Sequence, residues 1–219
     1  MKTSLVRYKY EILLLALAQH LFVGIFLTDM DFYTSIVWPV NMLLLGIGSI
    51  FVFAGKNSWK NWFRNVHFVI VLTLPIGIPF FRDVPVYFQI LNINYVIFFS
   101  FIFIEILRFL IKPGYIDSDI ISAAACGYLL LIDISVFLLQ FFEYQGEIAF
   151  KGIDTSSPAT IYMDLVYFCS VTFTSIGFGD ITPNTHTTKL ITSVIGIGGQ
   201  FYTVVLVGIL ISKFSSKSQ

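Results

Sequence analysis

The stretch Thr174-Ser175-Ile176-Gly177-Phe178-Gly179-Asp180 decides how the rest of this chain is interpreted. Two glycines alternate with two bulky apolar residues, hydroxyl residues precede them, and a carboxylate follows. A short apolar segment, residues 162–173, comes before this stretch, and a long apolar segment follows it. A glycine-rich turn is the simpler interpretation of a lone Gly-x-Gly. The position between a half-length helix and a full spanning helix favours a functional loop.

The alternation of Gly177 and Gly179 has a geometric consequence for the backbone. Successive carbonyl groups point the same way only where the backbone alternates in hand, and glycine adopts left-handed conformations without a Cβ penalty. A row of carbonyl oxygens can replace the hydration shell of a cation that leaves water. The side chains of Ile176 and Phe178 then point away from these oxygens, while Ser175 adds a hydroxyl oxygen. Non-helical backbone at membrane depth is tolerated where it lines a cavity.

The stretch resembles the filter signature of the potassium channel family, T-x-G-[YF]-G-D, over roughly the last hundred residues of the chain. The first half resembles that family only in its number of hydrophobic segments. The resemblance implies that potassium ions are coordinated by backbone carbonyls, and by one hydroxyl, of four residues: Ser175, Ile176, Gly177 and Phe178. Four further residues are expected to support the filter: Thr174, Gly179, Asp180 and Tyr167.

The outer end of this filter predicts one specific hydrogen bond. Phe178 has no hydroxyl, whereas many family members have a tyrosine there that joins a hydrogen-bonded cuff. Tyr167 is then the nearest candidate donor to Asp180, so we predict a bond between the two. Ser175 stands where threonine is commoner. It keeps the hydroxyl, and we expect potassium selectivity to survive the change.

The composition is that of a membrane protein. The chain has 219 residues, of which 57% are hydrophobic and 12% are charged, whereas about a quarter of a soluble domain is charged. The formal net charge is zero, which argues against a nucleic-acid partner. Cys126 and Cys169 fall in apolar segments and are interpreted as small buried residues rather than a disulfide or metal pair. No cleavage site follows the first apolar run, which predicts an uncleaved first helix.

The predicted fold is an all-α membrane protein with six transmembrane helices and a re-entrant pore helix and filter loop between helices five and six. A helical span takes about 20 apolar residues. The candidates lie at residues 10–28, 35–54, 62–81, 87–111, 119–142 and 186–214, with a half-length insert at 158–173. Pro75 and Pro79 predict a kink or an early end in the third helix. Ser157 and Pro158 are a start signal for the insert.

Two modules are predicted, a four-helix module at residues 1–112 and a pore module at residues 113–219. One filter copy per chain cannot close a ring, which predicts a homotetramer. Ten of the 13 Lys and Arg residues fall on the side of the N-terminus. This bias predicts a multi-pass protein of the plasma membrane with both termini in the cytoplasm. Acidic residues fill the opposite loops, either to attract cations or because the cytoplasmic side is avoided.

The first four helices lack the charges of a voltage sensor. The fourth offers only Arg108 and Lys112, both at its cytoplasmic end, so steep voltage gating is not expected. Glu105 and Arg108 stand three residues apart and are predicted to pair. Asp133 lies inside the fifth helix, where a carboxylate is a functional candidate by default. A buried hydrogen bond to a neighbouring helix is the preferred interpretation of this residue.

Three glycines interrupt the sixth helix within four residues, and each costs about 1 kcal/mol against alanine. Two interpretations of Gly196, Gly198 and Gly199 stay open: a gating hinge, and close helix packing. Gly199 is the best hinge candidate because its distance from Gly179 matches the hinge position in the family.

Polar residues follow those glycines at helical spacing. The resemblance implies that Gln200, Thr203 and Val207 line a water-filled cavity below the filter, and an interhelical hydrogen bond is the alternative for the two polar residues.

These patterns predict a passive potassium-selective channel that is not an enzyme and needs no cofactor beyond the permeant potassium ions. Its expected partners are three further copies of the chain and the lipid bilayer. The alternatives are a non-selective cation channel on the same scaffold and a non-conducting membrane sensor or regulatory subunit. An intramembrane enzyme is disfavoured because the sequence has no HExxH, GxSxG or paired intramembrane carboxylates.

Overall fold

The computed structural model describes residues 8–53, 58–81, 84–112 and 118–215. Six helical segments in these ranges are apolar and long enough to cross a membrane, which confirms the predicted number of spans. The chain is therefore a mostly helical, multi-pass membrane protein. The link between the two predicted modules, residues 113–117, lies outside the described residues. So do five of the 13 Lys and Arg residues of the charge argument: Lys2, Arg7, Lys56, Arg82 and Lys217.

The first two spans are each built from more than one kind of helix. Helix α1 (Lys9–Phe22) continues into a 3-10 turn, Val23–Phe26. The second span consists of α2 (Met30–Phe32), a π-helical turn (Tyr33–Val37) and α3 (Trp38–Val52). It begins before the predicted residue 35 because the Asp29 carboxylate accepts the Phe32 N–H at 2.9 Å and caps the helix.

The third span ends early, as its prolines predict. Helix α4 (Ser58–Thr73) stops before Pro75, and a 3-10 segment, Leu74–Phe80, continues it. Proline lacks the N–H that a regular α-helix needs at this position. The start at Ser58 lies before the predicted residue 62.

The remaining helices lie close to their predicted bounds. They are α5 (Pro85–Leu110), α6 (Ser118–Glu143), α7 (Pro158–Phe173) and α8 (His186–Ser215). Two short strands were not predicted: β1 (Phe150–Lys151) and β2 (Thr182–Pro183) pair antiparallel, on either side of α7 and the filter loop. Together α6, α7 and α8 have the order that the sequence predicts for a pore module.

The core is formed where α1, α3, α5, α6 and α7 meet, and aromatic rings fill it. Helices α5 and α6 pack along their length, and α1 contacts both α3 and α6. The largest fully buried side chains include Tyr33, Trp38, Tyr95, Phe99, Phe137 and Tyr162. Cys126 and Cys169 are buried free cysteines, in line with the prediction.

One buried charge ties α4 to α5. Glu105 is 2% exposed, accepts a hydrogen bond from Lys60 Nζ at 2.6 Å and pairs with Arg108. The predicted pair of Glu105 and Arg108 is confirmed. The contribution of Lys60 was missed, since no sequence pattern links it to α5.

Helix α8 is covered on only one side by the rest of the chain. Its Tyr202 hydroxyl donates to the Ala124 carbonyl of α6 at 2.8 Å and lies directly over Gly127. Apolar side chains on the rest of α8 are largely exposed, among them Val194, Ile197, Phe201 and Val204 at 68–70%. A single chain thus leaves a long apolar surface along this helix without a protein partner.

Candidate functional site

The start of α7 is fixed by a reciprocal cap. The Ser157 hydroxyl accepts the Thr160 N–H at 3.1 Å, and the Thr160 hydroxyl accepts the Ser157 N–H at 3.1 Å. Pro158 follows at the first helical position, where its missing N–H costs nothing. The start signal predicted from Ser157 and Pro158 is confirmed.

The loop before α7 is fastened to the helix by carboxylates. The Asp164 side chain accepts the Asp154 N–H at 2.8 Å. Hydrogen bonds from the Ser156 N–H and hydroxyl lower the pKa of Asp154. The Asp164 carboxylate thus joins α7 to the loop that precedes it.

The other end of α7 turns directly into the filter stretch. The Val171 carbonyl accepts the N–H groups of Ile176 at 2.9 Å and Gly177 at 3.2 Å. The Ser175 N–H donates to the Thr172 carbonyl at 3.1 Å. These bonds direct the first N–H groups of the loop back to the helix end. Among the described residues, none donates a hydrogen bond to the carbonyls of residues 175–178, so these oxygens are available for a ligand.

The backbone of the loop alternates in hand at every second residue. The φ angles of Ser175, Gly177 and Gly179 are 59°, 54° and 81°. The sequence predicts this conformation at the two glycines. The third position was missed, because serine has a Cβ and pays about 1–2 kcal/mol for a left-handed backbone. The alternation therefore begins at Ser175 and spans the whole predicted ligand set.

A side chain from α8 holds the strained residue. Gln200 Nε2 donates to the Ser175 hydroxyl at 2.6 Å and to the Phe173 carbonyl at 3.2 Å. Gln200 was predicted to line a cavity, with an interhelical hydrogen bond as the alternative. The bond is present, and Gln200 also borders an open recess of about 480 Å³ that Thr172 and Ser175 line as well. No sequence pattern predicts the bond between Gln200 and Ser175, because the two residues are 25 positions apart.

The glycines of α8 differ in what surrounds them. A Cβ on Gly199 would lie 2.5 Å from the Phe173 ring, so this residue allows α8 to approach the end of α7. Gly196 has ordinary contact with Thr172, and Gly198 has open space around it. This geometry favours close packing at Gly199. The hinge role of the three glycines stays a prediction.

The other two residues predicted to line the cavity lie further along α8. The Thr203 hydroxyl donates to the Gly199 carbonyl of its own helix at 3.0 Å. Val207 is 48% exposed. Their cavity-lining role stays a prediction.

The predicted hydrogen bond at the other end of the loop is present. The Tyr167 hydroxyl donates to Asp180 Oδ2 at 2.7 Å, and the Ile181 N–H donates to Oδ1 at 3.0 Å. The bond from Tyr167 lowers the pKa of Asp180 and keeps it ionised. The Tyr167 ring also lies parallel to Phe178, with centroids 6.4 Å apart. Whether this contact stabilises the filter stays a prediction.

A second brace, which sequence reasoning missed, surrounds the stretch after the filter. The Asn184 N–H and side chain donate to the carbonyls of Ala149 and Ile148 at 2.8 and 2.9 Å. Gly152 has a φ of 87°, and a Cβ there would overlap the Asp180 carbonyl oxygen. The loop before α7 is thus in direct backbone contact with the end of the filter.

We predict that Gly152→Ala lowers the melting temperature of the purified protein more than Gly146→Ala. Both glycines have a positive φ, so both variants pay about 1–2 kcal/mol for left-handed alanine. Only Gly152 also abuts the Asp180 carbonyl, whereas nothing lies within 4 Å of the Cβ position at Gly146. Equal melting temperatures for the two variants would show that this contact does not matter.

Comparisons with known proteins relate part of the chain to ion channels. A family model described as ion channel matches residues 127–216, from within α6 through the filter stretch and α8. The chain is 40% identical over 65 residues to two pore potassium channel a of Oryza sativa subsp. japonica, and this match covers 30% of this chain and 17% of that protein. It is 36% identical over 67 residues to two-pore potassium channel 4 of Arabidopsis thaliana, and this second match covers 31% of this chain and 22% of that protein.

The match therefore spans less than a quarter of the length of these curated relatives. No solved structure matches the chain. These matches confirm the resemblance to the potassium channel family.

Proposed function

Because residues 127–216 carry an ion channel domain, we propose that this chain is one subunit of a passive potassium-selective channel. The observation that carries the proposal is the alternation in hand at Ser175, Gly177 and Gly179. It allows the backbone carbonyls of residues 175–178 to face one side, where they can replace the water around a potassium ion. Thr174, Gly179, Asp180 and Tyr167 support these ligands in the proposal.

The proposed assembly is a homotetramer with the filter on its axis. One chain supplies a single row of oxygens, and a closed ring needs several identical copies. The apolar surface of α8, with Ile197 and Val204 about two-thirds exposed, is available for contact with neighbouring copies and for the pore wall. The C-terminal end of α7, the negative end of its dipole, lies at the filter base and favours a cation there.

The remaining parts of the proposal concern voltage gating, partners, location and domain division. Arg108 is the one basic residue in the last turn of α5, and it is paired with Glu105, so we expect no steep voltage gating. The channel acts without covalent chemistry, cofactor or nucleic acid, with lipid and potassium ions as its other partners. We place it in the plasma membrane with both termini in the cytoplasm, and divide it into the modules 1–112 and 113–219.

A flux assay on the purified protein in liposomes tests this function. We expect potassium flux that barium blocks, with a reversal potential close to the potassium equilibrium potential in a potassium/sodium gradient. A reversal potential near zero would indicate a non-selective cation channel. No flux from the protein alone would indicate a non-conducting regulatory subunit, and either result would contradict the proposal.

We predict that Gln200→Ala lowers the potassium-to-sodium permeability ratio. The substitution removes the donor that holds the strained Ser175 hydroxyl at the filter base, a bond of 2.6 Å. One such hydrogen bond contributes about 0.5–1.5 kcal/mol, so we expect a fall of about two- to tenfold.

Ser193→Ala is the matched control for this experiment. Ser193 precedes Gln200 on α8, and its hydroxyl donates to the Lys189 carbonyl within its own helix at 2.9 Å. We expect a wild-type permeability ratio for this variant. If both variants changed the ratio equally, the change would come from α8 as a whole rather than from the bond to Ser175.

A further inference from the structure

A buried polar cluster joins the four-helix module to the pore module. It consists of His20 on α1, Asp133 on α6 and Tyr162 on α7, and each is at most 1% exposed. His20 Nε2 lies 3.0 Å from the Tyr162 hydroxyl and 3.7 Å from Asp133 Oδ1. One imidazole nitrogen thus lies between the helix that precedes the filter and a carboxyl of the fifth span. We call these three residues the polar clamp.

The chemistry of the polar clamp makes its three members depend on one another. Neither Asp133 oxygen has a hydrogen-bond partner among the described residues, nor has His20 Nδ1. An isolated buried charge is very unfavourable, so an ionised Asp133 requires a protonated His20, and a neutral Asp133 a neutral His20. Nε2 carries at most one hydrogen, which sets whether it donates to a neighbour or accepts from the Tyr162 hydroxyl. Removing His20 or Tyr162 therefore leaves the other without its hydrogen-bond partner.

Aromatic rings enclose the polar clamp. The His20 ring lies beside the stacked rings of Phe99 and Phe137, and its centroid is 6.2 Å from the centroid of each. The Tyr162 ring packs against the Trp38 ring of α3, with the two ring centroids 5.1 Å apart. Close-packed rings leave these side chains little freedom to move, so the hydroxyl of Tyr162 is held by residues of the four-helix module. Helix α7 is thereby fixed to α1 and α3 as well as to α6.

Helix α7 connects the polar clamp to both ends of the filter. Its Val171 carbonyl accepts the N–H groups of Ile176 and Gly177 at the filter base. Its Tyr167 donates to Asp180 at the other end. A helix moves as a unit over this length, because its backbone hydrogen bonds are made within the segment. A shift of α7 at Tyr162 therefore displaces the supports of the filter at both ends.

We propose that His20, Asp133 and Tyr162 are positioning residues for the filter, through which the four-helix module sets the place of α7. The inference rests on the proposed function as a selective channel. It gives the four-helix module, which has no voltage-sensor charges, a role in conduction. The sequence prediction that Asp133 makes a buried hydrogen bond to a neighbouring helix is wrong for the described residues: neither carboxyl oxygen has a partner there, and His20 Nε2 lies 3.7 Å from Oδ1.

The test is a double-mutant cycle on permeability ratios in the liposome assay, with Tyr162→Phe, His20→Leu and both together. Tyr162→Phe removes the hydroxyl and retains the ring. We expect it to lower the potassium-to-sodium permeability ratio by about two- to tenfold, the range of one buried hydrogen bond. In the His20→Leu background the same change is expected to have little further effect, because the bond is already absent.

Asn41→Leu is the matched control. It breaks a hydrogen bond of 2.8 Å from Gln19 that joins α1 to α3 and does not involve the pore helix. We expect a lower melting temperature and a wild-type permeability ratio. A purely structural role for the polar clamp would lower the melting temperature in all variants and leave every ratio unchanged, which would overturn the inference. Equal changes of the ratio in Asn41→Leu and Tyr162→Phe would overturn it as well.

A replacement variant and the behaviour of the wild-type protein complete the test. If His20→Leu does not assemble, His20→Phe replaces it, because phenylalanine retains a ring against Phe99 and Phe137 and removes the nitrogen that bonds Tyr162. If the wild-type protein carries no potassium flux, the proposed function fails, and the positioning role fails with it. If the wild type is selective and Tyr162→Phe is indistinguishable from it, only the positioning role fails.

Discussion

The structure depends on a backbone that alternates in hand at three successive odd positions. Ser175, Gly177 and Gly179 have positive φ angles, and this alternation leaves a row of carbonyl oxygens without protein donors among the described residues. Such oxygens are costly inside a membrane unless a ligand or water takes the place of a donor. The same feature that makes the loop unfavourable as plain structure makes it suitable for a cation. The surrounding contacts serve to hold the loop in this conformation.

Those contacts reach the loop from three directions. The end of α7 binds the first N–H groups through Val171, and Gln200 of α8 holds the Ser175 hydroxyl from below. Tyr167 holds Asp180 beyond the last glycine. Each bond is worth about 1 kcal/mol, comparable to the cost of a left-handed serine, so the loop requires several of them together. In our proposal the first four spans support the loop indirectly, because the polar clamp holds α7.

Sequence patterns predicted the elements better than the contacts between them. Apolar segments predicted the six spans, and the pair Ser157 and Pro158 predicted the start of α7. Both kinds of signal are local in the sequence. The Tyr167–Asp180 bond was predicted because the motif fixes the spacing of both residues. The bond from Gln200 to Ser175 and the approach of Gly152 to the filter were missed. They arise from helix packing and from the strand pair, which no periodicity in the sequence encodes.

Replacing Gly177 by each enantiomer of alanine through chemical synthesis tests the central claim most directly. Gly177 has a φ of 54°, and an L-alanine Cβ there meets nothing within 4 Å in the chain, so the substitution probes backbone conformation rather than packing. D-Alanine favours positive φ and L-alanine disfavours it by about 1–2 kcal/mol. The account predicts that the D-alanine protein retains potassium selectivity in liposomes and that the Gly177→Ala protein with L-alanine loses it. Equal selectivity in the two proteins would contradict the claim that alternating hand creates the ion site.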